Sequence, residues 1–368
     1  VNSIPAFDLT QQYKLIGEEV GAKTLEVLAS GYYINGAIVE QFEQQFSQYI
    51  GTTECIGCNS GTDALYLALR ALNIGAGDEV ITTPFTFVST ASMISAVGAT
   101  PVFVDIDAQT YNLDLDQIEA AITPRTKAII PVHLFGHPVD LPRLMTIAQS
   151  HNLWVIEDAA QAVGATWNGT RVGSIGHIGC FSFYPTKNLG ACGDAGAVTT
   201  NDRAIADRIR MLRNHGQQQR YTSEAVGVNS RLDALQAAVL SIKLKYLEDW
   251  NGQRRAIATR YGEFLSHLPG IIAPQPSPGH VWHQYTLRVE GERRDTLRQK
   301  LQEQGVGSMV YYPVPLHLQP VYQDLGYSAG HFPIVEKLAQ EVLSLPMFPE
   351  LSQEQQERIL YGVKDGLG

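Results

Sequence analysis

Hydrophobic positions along this chain follow two periods, and between residues 55 and 200 the two alternate. Short β-branched runs at 79–83, 101–105, 128–133, 153–157, 179–183 and 197–200 predict strands. Segments with helical spacing, such as 114–122 and 141–150, fall between several of them. Such alternation predicts an α/β unit with a mostly parallel sheet covered by helices. Ligands of such sheets sit beyond the carboxyl ends of the strands, and Asp158 falls at one of those ends. Farther on, Ser230-Arg231-Leu232-Asp233 reads as a helix start with the serine as cap. Leu232, Leu235, Val239, Ile242 and Tyr246 then recur at helical spacing, and a second helix is predicted over 254–267. Pro274-Gln275-Pro276-Ser277-Pro278-Gly279 is a break, followed by what reads as a smaller α+β domain. The expected division is 1–245 for the large domain with its N-terminal segment and 246–368 for the small one.

Composition narrows the function classes. Hydrophobic residues make up 44% and charged ones 17%, as in a compact globular enzyme. A formal charge of −10 opposes nonspecific nucleic-acid binding, because a polyanion is repelled at long range. No apolar run is long enough for a membrane span, and Val1-Asn2-Ser3-Ile4-Pro5 has no signal-peptide core, so the expected location is cytoplasmic. Cys55-Ile56-Gly57-Cys58 matches a redox or metal spacing only formally. It is predicted to end a strand, where residues three apart point to opposite faces, so the two read as buried structural thiols. His133 and His137 lack the helix and adjacent glutamate of a zinc protease, and no metal is expected.

The chemistry concentrates in two stretches. Ser182-Phe183-Tyr184-Pro185-Thr186-Lys187-Asn188-Leu189-Gly190 sets a lysine among glycines and apolar residues, with no acid before Asp194. Poor solvation favours the neutral amine, as a Schiff-base lysine requires. Upstream, Glu157-Asp158-Ala159-Ala160-Gln161 places a carboxylate at a strand end, where it could hold a pyridine nitrogen protonated. Together Lys187 and Asp158 are what a pyridoxal phosphate enzyme needs. Ser60-Gly61-Thr62-Asp63-Ala64-Leu65 opens a helix whose free amides suit a phosphate, although Ser60 and Asp63 could equally form a capping box. Ser182 could hydrogen-bond the same phosphate. In Pro84-Phe85-Thr86-Phe87 one aromatic could stack on a flat ring or belong to the core. Gln161 could reach a ring hydroxyl or tie down a loop.

These stretches, with Gly227-Val228-Asn229-Ser230-Arg231-Leu232-Asp233 and Tyr312-Pro313-Val314-Pro315-Leu316-His317-Leu318-Gln319-Pro320, resemble the fold type I sugar aminotransferases of the DegT–StrS family, nearly end to end. The resemblance implies pyridoxal 5'-phosphate as cofactor, with Lys187 as the Schiff-base lysine and Asp158 on the pyridine nitrogen. Gln161 would contact the ring hydroxyl, Phe87 would stack on the ring, and Gly61, Thr62 and Ser182 would hold the phosphate. Asn229 would reach the cofactor phosphate of a neighbouring subunit, implying a homodimer with shared sites. Arg231, Tyr312 and His317 would face the substrate. Relatives often have His-Tyr-Pro where this chain has Tyr311-Tyr312-Pro313. The implied reaction moves an amino group from L-glutamate to a nucleotide-linked keto-sugar, at C3 of a UDP- or dTDP-3-keto-hexose. The alternatives are a 4-keto substrate or a non-catalytic, cofactor-binding regulatory protein.

Overall fold

The computed structural model describes residues 3–368, so Val1 and Asn2 of the segment read for a signal sequence lie outside the described residues. Seven strands form the central sheet: β1 (Glu54–Cys58), β2 (Glu79–Thr82), β3 (Thr100–Phe103), β4 (Thr126–Ile129), β5 (Trp154–Asp158), β6 (Ile178–Ser182) and β7 (Gly196–Thr200). Their order is β1-β7-β6-β5-β4-β2-β3. Neighbours from β3 to β6 run parallel, whereas β7 is antiparallel to both β6 and β1. The predicted strands are all present, with ends shifted by a few residues. Strand 101–105 stops at Phe103 because the Asp105 carboxylate turns to accept the backbone N–H groups of Ile334 and Val335, each at 3.0 Å. It thereby caps helix Pro333–Glu341.

Both faces of the sheet are covered, so its strands read as continuous apolar runs. After helix α1 (Thr10–Ser30), helix α2 (Ala37–Ile50) and helix Ala234–Lys243 cover one face, packing against Ile81, Ile129, Val155 and Phe181. The other packs Val80, Ala128, Ile156 and Val198 against α3 (Gly61–Ala71). Cys55 belongs to the first cluster and Cys58 to the second, as the pleat requires. Burial pushes both thiols up, Cys58 to about 12, which makes them inert apolar fillers. On the α2 side, Phe46 meets Phe181 and Phe183 edge-on at 5.0 and 5.1 Å between ring centroids, and stacks on Phe42 at 5.7 Å.

A second, antiparallel sheet joins β8 (Ile271–Ile272), β9 (Tyr285–Val289) and β10 (Val342–Leu345). Its core contains Ile257, Tyr261, Leu287, Leu301, Leu343 and Ile359. Ile4 joins this same core and bridges Val306, bonding Gly305 O and Gly307 N at 2.8 and 2.7 Å. The expected boundary at 245/246 lies in the 3-10 turn Leu244–Tyr246.

Three local expectations are corrected. Helix Ala234–Lys243 starts at Asp233, not Ser230, because the Ser230 hydroxyl is spent on tertiary bonds to Asn59 N and Asp63 Oδ2. The helix expected over 254–267 begins earlier, at Leu247. The 114–122 segment is a 3-10 turn, Leu115–Gln117, followed by one α-turn, Ile118–Ala121. Phe46→Ala should lower stability by about 3–5 kcal/mol by deleting a ring shared by four aromatic contacts. A fall in melting temperature in a thermal scan checks this, and an unchanged melting temperature contradicts it.

Candidate active site

Two adjacent carboxylates end β5 and take opposite roles. Glu157 is fully buried and accepts backbone N–H bonds from Gly173, Ile175 and Gly176 at 2.6, 3.0 and 2.5 Å. His133 Nε2 approaches it at 3.0 Å. Because the Val139 N–H donates to His133 Nδ1, the ring proton lies on Nε2 and points at Glu157. Glu157 therefore anchors the strand end. Asp158 faces the other way. Its Oδ2 accepts the Thr90 hydroxyl at 2.8 Å, and its Oδ1 accepts the Ala160 N–H at 3.2 Å. Thr86 bonds Thr90 at 2.9 Å, and since the Thr90 proton is committed to Asp158, Thr86 is the donor. Burial raises the Asp158 carboxyl above the usual range, opposed by Thr90, Ala160, Lys187 and His133.

Lys187 lies in the loop after β6. Its backbone N–H bonds Tyr184 O at 2.8 Å, and the loop closes through the Ala191 N–H on Phe183 O, also at 2.8 Å. The side chain keeps some surface, but protein replaces most of the water around the amine. That desolvation pushes its pKa down from 10.5 to about 8, while the Asp158 charge pulls it back up. Lys187 and Asp158 therefore sit within electrostatic reach, at the carboxyl ends of neighbouring strands β6 and β5.

The start of α3 meets the end of β6. A Cβ on Gly61 would stand 2.6 Å from Ser182 Cβ, so only glycine lets the helix start approach the strand this closely. Helix geometry leaves the Gly61 and Thr62 amides without intrahelical partners. Ser182 Oγ accepts the Tyr184 N–H at 3.3 Å, which leaves its own proton to give. Ser60 caps the helix through Asp63 N at 3.1 Å, but the reciprocal half of a capping box is missing because Asp63 accepts Ser230 Oγ at 2.7 Å. The bonds of Ser230 to Asp63 and Asn59 also hold the neighbouring Asn229 and Arg231 beside the α3 start. Asn229 is exposed, and Arg231 Nη1 donates to Asn214 Oδ1 at 3.4 Å.

The two phenylalanines of 84–87 divide: Phe85 is 0% exposed, while Phe87 is 58% exposed and tilted against Tyr312 at 6.4 Å. Gln161 Oε1 accepts the Phe135 N–H at 2.7 Å, and its amide donates to the Tyr312 hydroxyl at 3.1 Å. One Gln161 amide hydrogen remains. His317, expected to face substrate, is held by its own loop. The residue is 1% exposed, packs edge-on against Phe332 at 4.8 Å and bonds Glu336 Oε1 at 3.0 Å through Nε2. Thr86, Thr90 and the partners of Asn188 were missed by sequence reasoning. The i,i+4 hydroxyl pair beside a strand end was the only signal for the threonines.

A helix start with free amides, a buried acid and a desolvated lysine lie at the carboxyl ends of neighbouring strands, and this donor set fits pyridoxal phosphate. Residues 14–364 match the DegT/DnrJ/EryC1/StrS aminotransferase family. A "Pleiotropic regulatory protein" of Geobacillus stearothermophilus is 48% identical over 97% of each chain. A dTDP-3-amino-3,4,6-trideoxy-alpha-D-glucose transaminase of Streptomyces venezuelae is 46% identical, covering 98% of this chain and 96% of the relative. A UDP-N-acetyl-3-dehydro-alpha-D-glucosamine 3-aminotransferase of Acidithiobacillus ferrooxidans is 47% identical over 97% and 96%. The crystal structure of S. venezuelae DesV, in complex with a ketimine intermediate, superposes with a TM-score of 0.96 at 46% identity, covering 99% of this chain and 98% of DesV. The chain belongs to the DegT/DnrJ/EryC1/StrS aminotransferase family. It is an aminotransferase of fold type I that uses pyridoxal phosphate, and similar structures have been solved in both PLP and PMP forms.

Competitive acylation of the cofactor-free protein should titrate Lys187 near pH 8. At that pH about half of its amines are then nucleophilic, against roughly 0.3% for an ordinary lysine. Asp158→Asn removes the charge that favours the ammonium, so the midpoint should move lower. An upward shift would contradict the placement of these two groups.

Proposed function

We propose that this aminotransferase carries an amino group from L-glutamate to carbon 3 of a nucleotide-linked keto-hexose, with UDP or dTDP as the carrier. The carrying observation is the Lys187 amine, held near neutrality beside the buried Asp158. Two similar relatives are named for amino groups at position 3, one on a dTDP sugar and one on a UDP sugar, which supports the regiochemistry and leaves both nucleotides in play. When bound, pyridoxal phosphate supplies an aldehyde that condenses with amines and a ring that withdraws electrons once its nitrogen is protonated.

The residues divide the remaining work. Lys187 would hold the cofactor through its amine. Once freed by the donor, its neutral Nζ would take the proton from the glutamate Cα, and in the reverse half it would return one to the sugar carbon. Asp158 pairs with the ring nitrogen, and Thr90, backed by Thr86, keeps that carboxylate ionised and aimed. Gln161 gives its remaining hydrogen to the ring hydroxyl, and Phe87 covers the ring face. Gly61, Thr62 and Ser182 hold the phosphate with amides and hydroxyls at a helix start. Arg231 and Tyr312 face the substrate. Asn229 reaches the phosphate in a partner subunit's site, so the working form is a homodimer. Exposed Tyr32, Tyr221 and Val226 supply apolar surface for that assembly.

Glutamate alone should convert the yellow enzyme to its amine form and release one oxoglutarate per site. UDP- and dTDP-linked 3-keto-sugars should then restore the yellow form, with the amine at C3 by NMR; amination only of 4-keto sugars would refute the regiochemistry. Lys187→Ala should lose transamination by roughly 10³-fold or more. Normal turnover by that variant would remove the lysine from the mechanism. Sedimentation should give a dimer, and a monomer with full activity would dismiss the assignment of Asn229.

A further inference from the structure

Asn188 follows the lysine directly and spends its whole amide on buried partners. Its Nδ2 donates to Val281 O at 3.0 Å and to Asn251 Oδ1 at 2.8 Å. A backbone carbonyl only accepts, so the amide orientation is fixed and Oδ1 must be the acceptor. His283 Nδ1, 3.1 Å away, is therefore the donor, which sets the imidazole tautomer. Asn251 is oriented by the same logic, since its Nδ2 donates to Val163 O at 3.2 Å. All three side chains are buried.

The network joins three parts of the molecule. Asn188 belongs to the lysine loop, and Asn251 to helix Leu247–Leu265, which reaches back to Val163 just beyond Asp158 and Gln161. His283 belongs to the segment entering β9 of the small sheet, whose neighbours Val281 and Gln284 bond Gly136 O and Phe135 O. Phe135 N in turn bonds Gln161. The loops bearing the acid and the amine are thus tied to one buried polar knot.

We infer that His283, through Asn188 and Asn251, is a positioning residue that fixes the Lys187 amine against Asp158 and keeps water from the lysine loop. The inference rests on the reading of Lys187 as the lysine that binds the cofactor. The imidazole can hold this post because it stays neutral: burial drives its pKa well down, helped by the positive charges of Lys187 and Arg254. The Lys187 amine itself is faced by the Asp158 carboxylate.

His283→Leu removes the donor, and His283→Asn replaces it with an amide N–H at a similar place. In the leucine variant, water should reach the lysine loop. Competitive acylation of the full chain, stripped of cofactor, should then place the Lys187 midpoint higher by about half a pH unit or more. The holoenzyme should lose about 10²-fold in kcat with little change in the KM for glutamate. The asparagine variant should recover most of both. If His283→Leu does not fold, as judged by circular dichroism, Asn251→Ala carries the test, since it removes a partner of Asn188 and leaves the histidine in place. A wild-type midpoint and kcat in the folded variant, or a defect that asparagine does not relieve, overturns the inference. Borohydride reduction of wild-type holoenzyme separates the two readings: a tag missing from Lys187 refutes the role of the lysine, whereas a tag there with unaltered variants refutes only the role of His283.

Discussion

The architecture depends on how the end of β5 disposes of two consecutive carboxylates. A strand sends adjacent side chains to opposite faces, so one of the two acids must enter the interior. Glu157 does so, and that is tolerable only because three backbone amides and an imidazole N–H converge on it. An unsatisfied buried carboxylate would cost several kcal/mol. The same bonds recruit the 173–176 turn and His133, which fixes the strand end from both sides. Asp158 is then delivered to the crevice at a set height, where its own burial is relieved by a hydroxyl, one amide and the lysine.

Function follows from what this placement does to charge. A lysine and an aspartate in water would simply form an ion pair. Here desolvation works on both, lowering one pKa and raising the other, so the amine stays available as a base. The helix start beside it is built differently, from amides and hydroxyls gathered where Gly61 touches Ser182. Such local donors suit an anion even in a protein of net charge −10, without a basic surface.

The parts legible in the sequence were those fixed by short-range patterns. Strand runs, the glycine-flanked Lys187 and the carboxylate at the end of β5 are written in neighbouring residues, and all appear where the pattern put them. Ser230 misled because a serine before an apolar helix usually caps it, and only the folded chain shows its hydroxyl going to Asp63, 167 positions away. The partners of His317 were hidden for a related reason. Its segment is shared with sugar aminotransferases, but the ring is claimed by Glu336 and Phe332. The knot around Asn188 was invisible because its members are drawn from separate segments, and polar residues at such spacing announce nothing until the chain closes.

Ile4 bridging Val306 has a consequence for how the polypeptide is made. The bridging partner of Ile4 emerges from the ribosome about 300 residues later, roughly 15–60 s at common elongation rates. Throughout that interval the segment must wait unpaired while the seven-stranded unit is completed. The smaller core closes last, as a clasp that needs segments synthesised on both sides of the large sheet.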